Sequence, residues 1–249
     1  MPHTETVLVL TASNEQQAHL FRDELRQRSE LGLLVGVDEL LVIPDPPDRP
    51  IGSGGSTIEV LRRLSEGSPS LTKALSGKRL LIIHAAGRSQ RMPAYAVCGK
   101  TFAPVPGAPV SALPYTLFDA QTEVYLGLPA RPDGQIVIFS GDVMPRFDPQ
   151  TVDLSRPGLT GVASRESAER ATGHGVYADI AEDGAVRLFL QKPSLEQMRR
   201  CGCLDRDGKA PVDLGIMSFT PELGQKLVEL PQYACLLYTS PSPRDRTRS

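Results

Sequence analysis

The chain has 249 residues, enough to bury a full hydrophobic core without disulfide or metal staples, and suits one large α/β domain or a domain with a smaller attachment. Its 27 basic and 29 acidic residues give a formal charge of −2, which provides no global field for gripping nucleic acid or an anionic membrane. Four cysteines, Cys98, Cys201, Cys203 and Cys235, have neither the density of a disulfide scaffold nor the paired CxxC spacing of a zinc site, and read as reduced thiols.

In chain order, "TVLVLTA" (Thr6 to Ala12) is a buried-strand run, followed by a helix with Leu20, Phe21 and Leu25 on one face and Ser13 or Asn14 as its cap. "DELLVIP" is a second strand. The stretch "DPPDRPIGSGGST" then reads as a proline- and glycine-punctuated loop, from which a helix opens over Ile58 to Leu64. "RLLIIHA" is a third strand, a helix follows around "YTLFDAQTEVYLGL", and "GQIVIFSGD" is a fourth strand ending at Gly141-Asp142. "LTGVAS", "GHGVYADI", "AVRLFLQKP" and "PVDLGIMSF" are further strands, with "AEDGA" a hairpin turn, and "PELGQKLVEL" is a terminal helix. Strands alternating with helices in the first half predict a mostly parallel sheet covered on both faces, with an antiparallel excursion in the second half. Ligands of such sheets sit beyond the carboxyl ends of the strands. The loops after His84, Ser140 and Gln191 are placed there.

Two of the loops are built from small residues. In "LLIIHAAGRSQRMP" a strand runs into Ala86-Gly87 and then Arg88 and Arg91, with Lys100 nearby in "CGKTFAP". Small residues at such a turn free backbone amides to face an anion. The spacing is neither GxxxxGK[ST] nor GxGxxG, and taken alone the loop reads equally as a tight turn with solvated arginines. "IGSGGST" (Ile51 to Thr57) is a second candidate cradle, or a surface turn. A carboxylate ending a buried strand needs a cation or a cap, so Asp142 is either a turn residue or a ligand for Mg²⁺ facing phosphates. Lys192 precedes a helix whose Ser194 and Gln197 have capping-box spacing, and taken alone is a surface lysine. His174, flanked by glycines, reads as a backbone-packing or substrate-contact position rather than a general base.

No apolar run approaches the ~20 residues of a membrane span, and the N-terminus lacks the basic region of a signal peptide, so a soluble cytoplasmic protein is expected, binding neither membrane nor nucleic acid. The final stretch "CLLYTSPSPRDRTRS" departs from the strand and helix pattern. Cys235 to Asp245 match, in one reading frame, the translation of a transposase end used in preparing sequencing libraries, and residues 235–249 are expected to be an artefactual, disordered tail. Residues 1–234 are expected to form one domain, truncated at its C-terminal end.

The set "RPIGSGGST", "IIHAAGRSQRMPAYAVCGKTFAPVP", "SGDV", "GHGVY", "FLQKPSL" and "VDLGI", in this order, resembles the fucose-1-phosphate guanylyltransferase family, the GDP-fucose pyrophosphorylases, whose domain also forms the N-terminal part of bifunctional L-fucokinase/GDP-fucose pyrophosphorylases. The resemblance runs from Val7 to about Leu230. It implies a Rossmann-like, GT-A-like three-layer α/β sandwich, and a reaction in which GTP and fucose 1-phosphate give GDP-fucose and pyrophosphate, with Mg²⁺ as cofactor. Carried over by position, Ala86, Gly87 and Ser89, with Gly52, Gly54, Gly55 and Ser56 of the earlier loop, face the nucleotide. Arg91 and Lys100 stabilise triphosphate and leaving-group charge, Asp142 holds the metal, and Lys192, Asp213 and His174 face the sugar phosphate. Family members often carry Gly-Gly where this chain has Ala86-Gly87, so the closest backbone approach falls to Gly87. Two further readings stay open: transfer to another sugar or base, and a binding module that has lost turnover.

Overall fold

The computed structural model describes residues 4–47, 51–86, 95, 99–107, 111–131, 133–156 and 158–230. The chain divides into two compact units, one formed by Met1–Thr160 with Ser218–Ser249 and the other by Gly161–Met217. The tail from Cys235 lies outside the described residues.

The first unit is built on four parallel strands in the order β2-β1-β3-β4: β1 is Glu5–Ala12, β2 Glu39–Pro44, β3 Lys78–His84 and β4 Gln135–Ser140. Each is an apolar run because both faces are covered. Alternate residues Val7, Val9, Leu80, Ile82 and Ile136 pack against Val60 and Leu61 of α2 (Gly52–Ser65), Leu71 of α3 (Leu71–Ala74), and, near the chain's end, Leu223 and Leu227 of α7 (Pro221–Val228). The other face takes α1 (Glu15–Glu30) and α4 (Leu117–Gly127), with Tyr125 stacked on Phe139 at 3.7 Å between centroids. Helix, sheet and helix make the three layers expected.

Two buried arginines grip α4. Arg28 on α1, 1% exposed, donates through Nε and Nη2 to both oxygens of Asp119 (2.7 and 3.1 Å), through Nη2 to the Thr116 hydroxyl (3.2 Å), and through Nη1 to the carboxylate and carbonyl of Glu24 (2.6 and 3.2 Å). All five donors of the guanidinium are used. Asp119 is also the third residue of α4, completing a capping box with Thr116. At the other end Arg79 of β3 donates to the carbonyls of Tyr125, Leu126 and Leu128, the orphan acceptors where α4 stops.

The second unit contains the antiparallel part. β6 (Gly175–Ile180) pairs with β7 (Val186–Gln191) and with β8 (Lys209–Phe219), whose last two residues return to the first unit, and β5 (Leu159–Ser167) runs beside β8. The Ala181–Ala185 turn closes the β6–β7 hairpin, with Gly184 in the left-handed region at φ 83°. The helices α5 (Ala168–Ala171) and α6 (Leu195–Arg200) flank a small core of Val176, Met198, Ala210 and Val212. Cys201 and Cys203 are free thiols, as the spacing suggested. Among the described residues, no helix is long and apolar enough to cross a membrane.

One element departs from expectation. The glycine-rich stretch before Ile58 is not a loop: α2 begins at Gly52, and Gly54, Gly55 and Ser56 lie in its first two turns. The glycines read as punctuation because of their low helix propensity, but burial of Gly55 to Leu61 overrides it. Replacing Arg28 with Met leaves the partly buried Asp119 without its cation, and is expected to lower unfolding free energy by about 2–4 kcal/mol in urea titrations. A loss under about 1 kcal/mol would contradict this role.

Candidate active site

The carboxyl ends of the parallel strands collect the polar residues that a buried sheet would otherwise exclude. β4 ends at Ser140, and Gly141 follows under β3: its N–H donates to the His84 carbonyl (3.1 Å), and a Cβ at Gly141 would stand 2.5 Å from that oxygen. Only glycine fits, and this close approach sets the direction in which Asp142 leaves the sheet. The Asp142 carboxylate accepts from the Ser140 hydroxyl (3.0 Å) and pairs with Lys100 Nζ (3.2 Å).

Lys100 is placed by its neighbours. Gly99 at φ 69° lies against Phe21, where a Cβ would come within 2.9 Å of the ring. Thr101, 1% exposed, donates from Oγ1 to the Gly141 carbonyl (3.0 Å). Phe102 packs between Phe21 and Phe118, with the Arg28 guanidinium 5.0 Å from its ring centroid. A short 3-10 turn, Lys100–Phe102, is thus pinned on both sides of its lysine, whose amine stays partly exposed. The pair itself is solvent-accessible and adds little stability.

His84, which the sequence marks only as the end of a strand, lies in the same edge. Its Nε2 is 3.0 Å from Thr57 Oγ1 of α2 and its Nδ1 is 3.4 Å from Thr11 Oγ1 of β1. Asp45, just past β2, is 8% exposed and accepts from the Ser56 hydroxyl at 2.7 Å; burial pushes its carboxyl up. A polar residue closing an apolar strand is the signal that would have singled out both, the same one that marks Asp142.

Of the nucleotide-facing candidates, Gly87, Ser89 and Arg91 lie outside the described residues, and Ala86 is the last described residue before them. Gly52 has φ 69° and starts α2, and Ser56 is turned to Asp45. In the second unit, Lys192 donates its N–H to the His174 carbonyl (2.9 Å) with its own backbone left-handed at φ 50°, a conformation rare for a lysine. The Ser194–Gln197 capping box that follows is present. Asp213 accepts from the Tyr177 hydroxyl (2.9 Å) and the Gly215 N–H (3.0 Å). The structure therefore brings Lys100 to Asp142 in one unit and Lys192 to His174 in the other.

A cleft of about 570 Å³ lies at the opposite, amino-terminal end of β4. Its lining holds one arginine, Arg131, and three carboxylates, Asp133, Asp153 and Glu222, the wrong balance for a triphosphate.

The fucose pyrophosphorylase domain model matches residues 72–241, which include Lys100, Asp142, His174, Lys192 and Asp213. The chain belongs to this family. It is 28% identical to a bifunctional fucokinase/GDP-fucose pyrophosphorylase of Arabidopsis thaliana over 91% of this chain and 24% of that protein, and 27% identical to a mouse (Mus musculus) fucose-1-phosphate guanylyltransferase over 80% and 35%. The chain thus spans about a quarter to a third of the length of these curated relatives. Among solved structures, a mutant UDP-glucose pyrophosphorylase of Leishmania major aligns with 90% of this chain and 51% of its own, at 11% identity and a TM-score of 0.31, a likeness too slight to carry argument.

Burial pushes the His84 imidazole down to about 4. The unfolded chain, with His near its ordinary 6.5, then binds more protons between those values, so the contribution is intact above pH 6.5 and is lost as pH falls toward 4. The stability gap between the wild type and His84→Gln is expected to narrow by on the order of 2–3 kcal/mol from pH 7.5 to pH 4.5 in paired urea titrations. A gap that does not change with pH would show that the ring is not held neutral.

Proposed function

We propose that the chain carries the nucleotidyl-transfer site of a fucose-1-phosphate guanylyltransferase, joining GTP and fucose 1-phosphate into GDP-fucose with release of pyrophosphate. The observation that carries the reading is the Lys100–Asp142 pair at the carboxyl edge of a parallel sheet, inside the region matched by the family. Nucleotidyl transfer needs little covalent chemistry from the protein. The sugar phosphate is already an anion, so an oxygen of it attacks the α-phosphorus in line, the bond to the β-phosphate oxygen breaks, and pyrophosphate leaves with the electron pair. No general base is required.

Catalysis then consists of alignment and charge neutralisation. Lys100 is the fixed cation for the triphosphate and the departing pyrophosphate, and its pinned turn means little reorganisation accompanies the charge shift. Arg91 adds a second cation, and Ala86, Gly87 and Ser89 supply backbone donors to the phosphates. Lys192, His174 and Asp213 bind the sugar phosphate side. The strained backbone at Lys192 suits a residue held for its side chain.

Asp142 fits a magnesium ion. It is a half-exposed carboxylate next to a hydroxyl, and among the described residues no cluster of three or more His, Cys, Asp or Glu forms an all-protein cage. Mg²⁺ commonly uses one or two carboxylates and takes its remaining ligands from substrate phosphates and water. Bound there, it would neutralise phosphate charge beside Lys100.

Lys100→Ala and Asp142→Asn are each expected to slow pyrophosphate release at least ten-fold, about 1.4 kcal/mol on the barrier, with unfolding midpoints close to the wild type. Turnover unchanged in either variant would remove that residue from the mechanism. A matrix of nucleoside triphosphates against sugar 1-phosphates, read by pyrophosphate release, tests specificity: GTP with fucose 1-phosphate is expected to be the productive pair. A better pair would reassign the substrate, and binding without turnover for every pair would favour a binding module.

A further inference from the structure

The His84 ring and the opening turns of α2 take no part in the chemistry above, yet they meet at the same edge. Thr57 Oγ1 lies 3.0 Å from the Ser53 carbonyl and 3.0 Å from His84 Nε2. A hydroxyl has a single hydrogen, and a carbonyl can only accept. Thr57 therefore gives its proton to Ser53 and turns a lone pair to the ring, which makes Nε2 the protonated nitrogen. Nδ1 then carries the lone pair and receives the Thr11 hydroxyl, 3.4 Å away. Thr11 and Thr57 are 0% and 5% exposed.

The residue holds by its backbone as well: the His84 carbonyl takes the Gly141 N–H, and Ala85 and Ala86 follow it in the chain. One position before Thr57, Ser56 fastens α2 to Asp45 past β2. With both ring nitrogens occupied by buried hydroxyls, His84 is badly placed to take a proton from substrate. It is well placed to fix where α2, the Ala85 segment and Gly141 stand relative to one another.

We propose that His84 is a positioning residue for nucleotide binding, an Nε2-protonated imidazole that locks the Gly52–Thr57 turns and the Ala85 segment in one register on the ends of β1 and β4. This rests on the nucleotidyl-transfer reading for its functional consequence. Gly55, Ser56 and Thr57 are all buried at this sheet edge, whereas a Cβ at Gly52 or Gly54 would meet open space.

The test has two parts. In the substrate-free wild type, long-range ¹H–¹⁵N spectra of the histidines at pH 7 are expected to show His84, assigned by its loss in His84→Gln, as neutral and protonated on Nε2. A ring protonated on Nδ1, or on both nitrogens, overturns the proposal. In kinetics, Thr57→Val and His84→Phe are each expected to raise the KM for the nucleoside triphosphate about ten-fold or more while the KM for the sugar 1-phosphate stays within about two-fold. Thr57→Ser and His84→Gln, which keep the hydroxyl and an amide donor, should recover most of that loss. Loss confined to kcat, or equal loss for both substrates, counts against positioning of the nucleotide side. If the wild type turns over no pair of substrates, the functional reading fails separately, and the lock itself is judged by thermal unfolding: effects of Thr57→Val and His84→Phe that simply add would refute it, whereas coupling supports it.

Discussion

A guanidinium with every donor satisfied and no access to water is the constraint from which the first unit's geometry follows. Arg28 reaches from α1 to the capping residues of α4, so neither helix can slide along the sheet without exposing a buried charge. Its flat face rests on Phe102, and Phe102 ends the turn that carries Lys100. The chain of contact from a buried cation on one helix to an accessible cation at the sheet edge is short and made of rigid parts. Arg79 closes the other end of α4, so the helix that sits beside β4 is held at both termini by charge as well as by the Tyr125–Phe139 stack.

The edge itself is organised by hydrogen bonds of opposite kinds. Gly141 and Thr101 are tied through backbone carbonyls, which fix position without choosing chemistry. Ser140, Lys100 and Asp142 are tied through side chains, which leave a charged pair open to solvent. The first set is buried and strongly constrained, the second accessible and cheap to rearrange. That division is what a site needs if a triphosphate is to replace one of the partners of the pair while the backbone beneath it stays still.

Much of this was legible from sequence. Apolar runs bounded by polar ends gave the parallel strands because both faces are covered and most residues of each run are buried, and period-two stretches with a glycine turn gave the β6–β7 hairpin. Asp142 stands out by the cost of a carboxylate at a strand end and Lys100 as a cation near the small-residue loop, and the structure pairs the two. The opening of α2 was misread because glycine propensity is local, while the burial that overrides it depends on the sheet. Arg28 and His84 were missed as organisers for a related reason. Their partners are 91 residues and 27 residues away in the chain, and no spacing rule connects an arginine on one helix with the cap of another.

At Lys192 the backbone itself carries a cost. A non-glycine residue held in the left-handed region costs about 1–2 kcal/mol, and glycine adopts the same backbone freely. The turn between β7 and α6 would accordingly be more comfortable with no side chain at all. A lysine there is held at a cost to stability that a glycine would avoid.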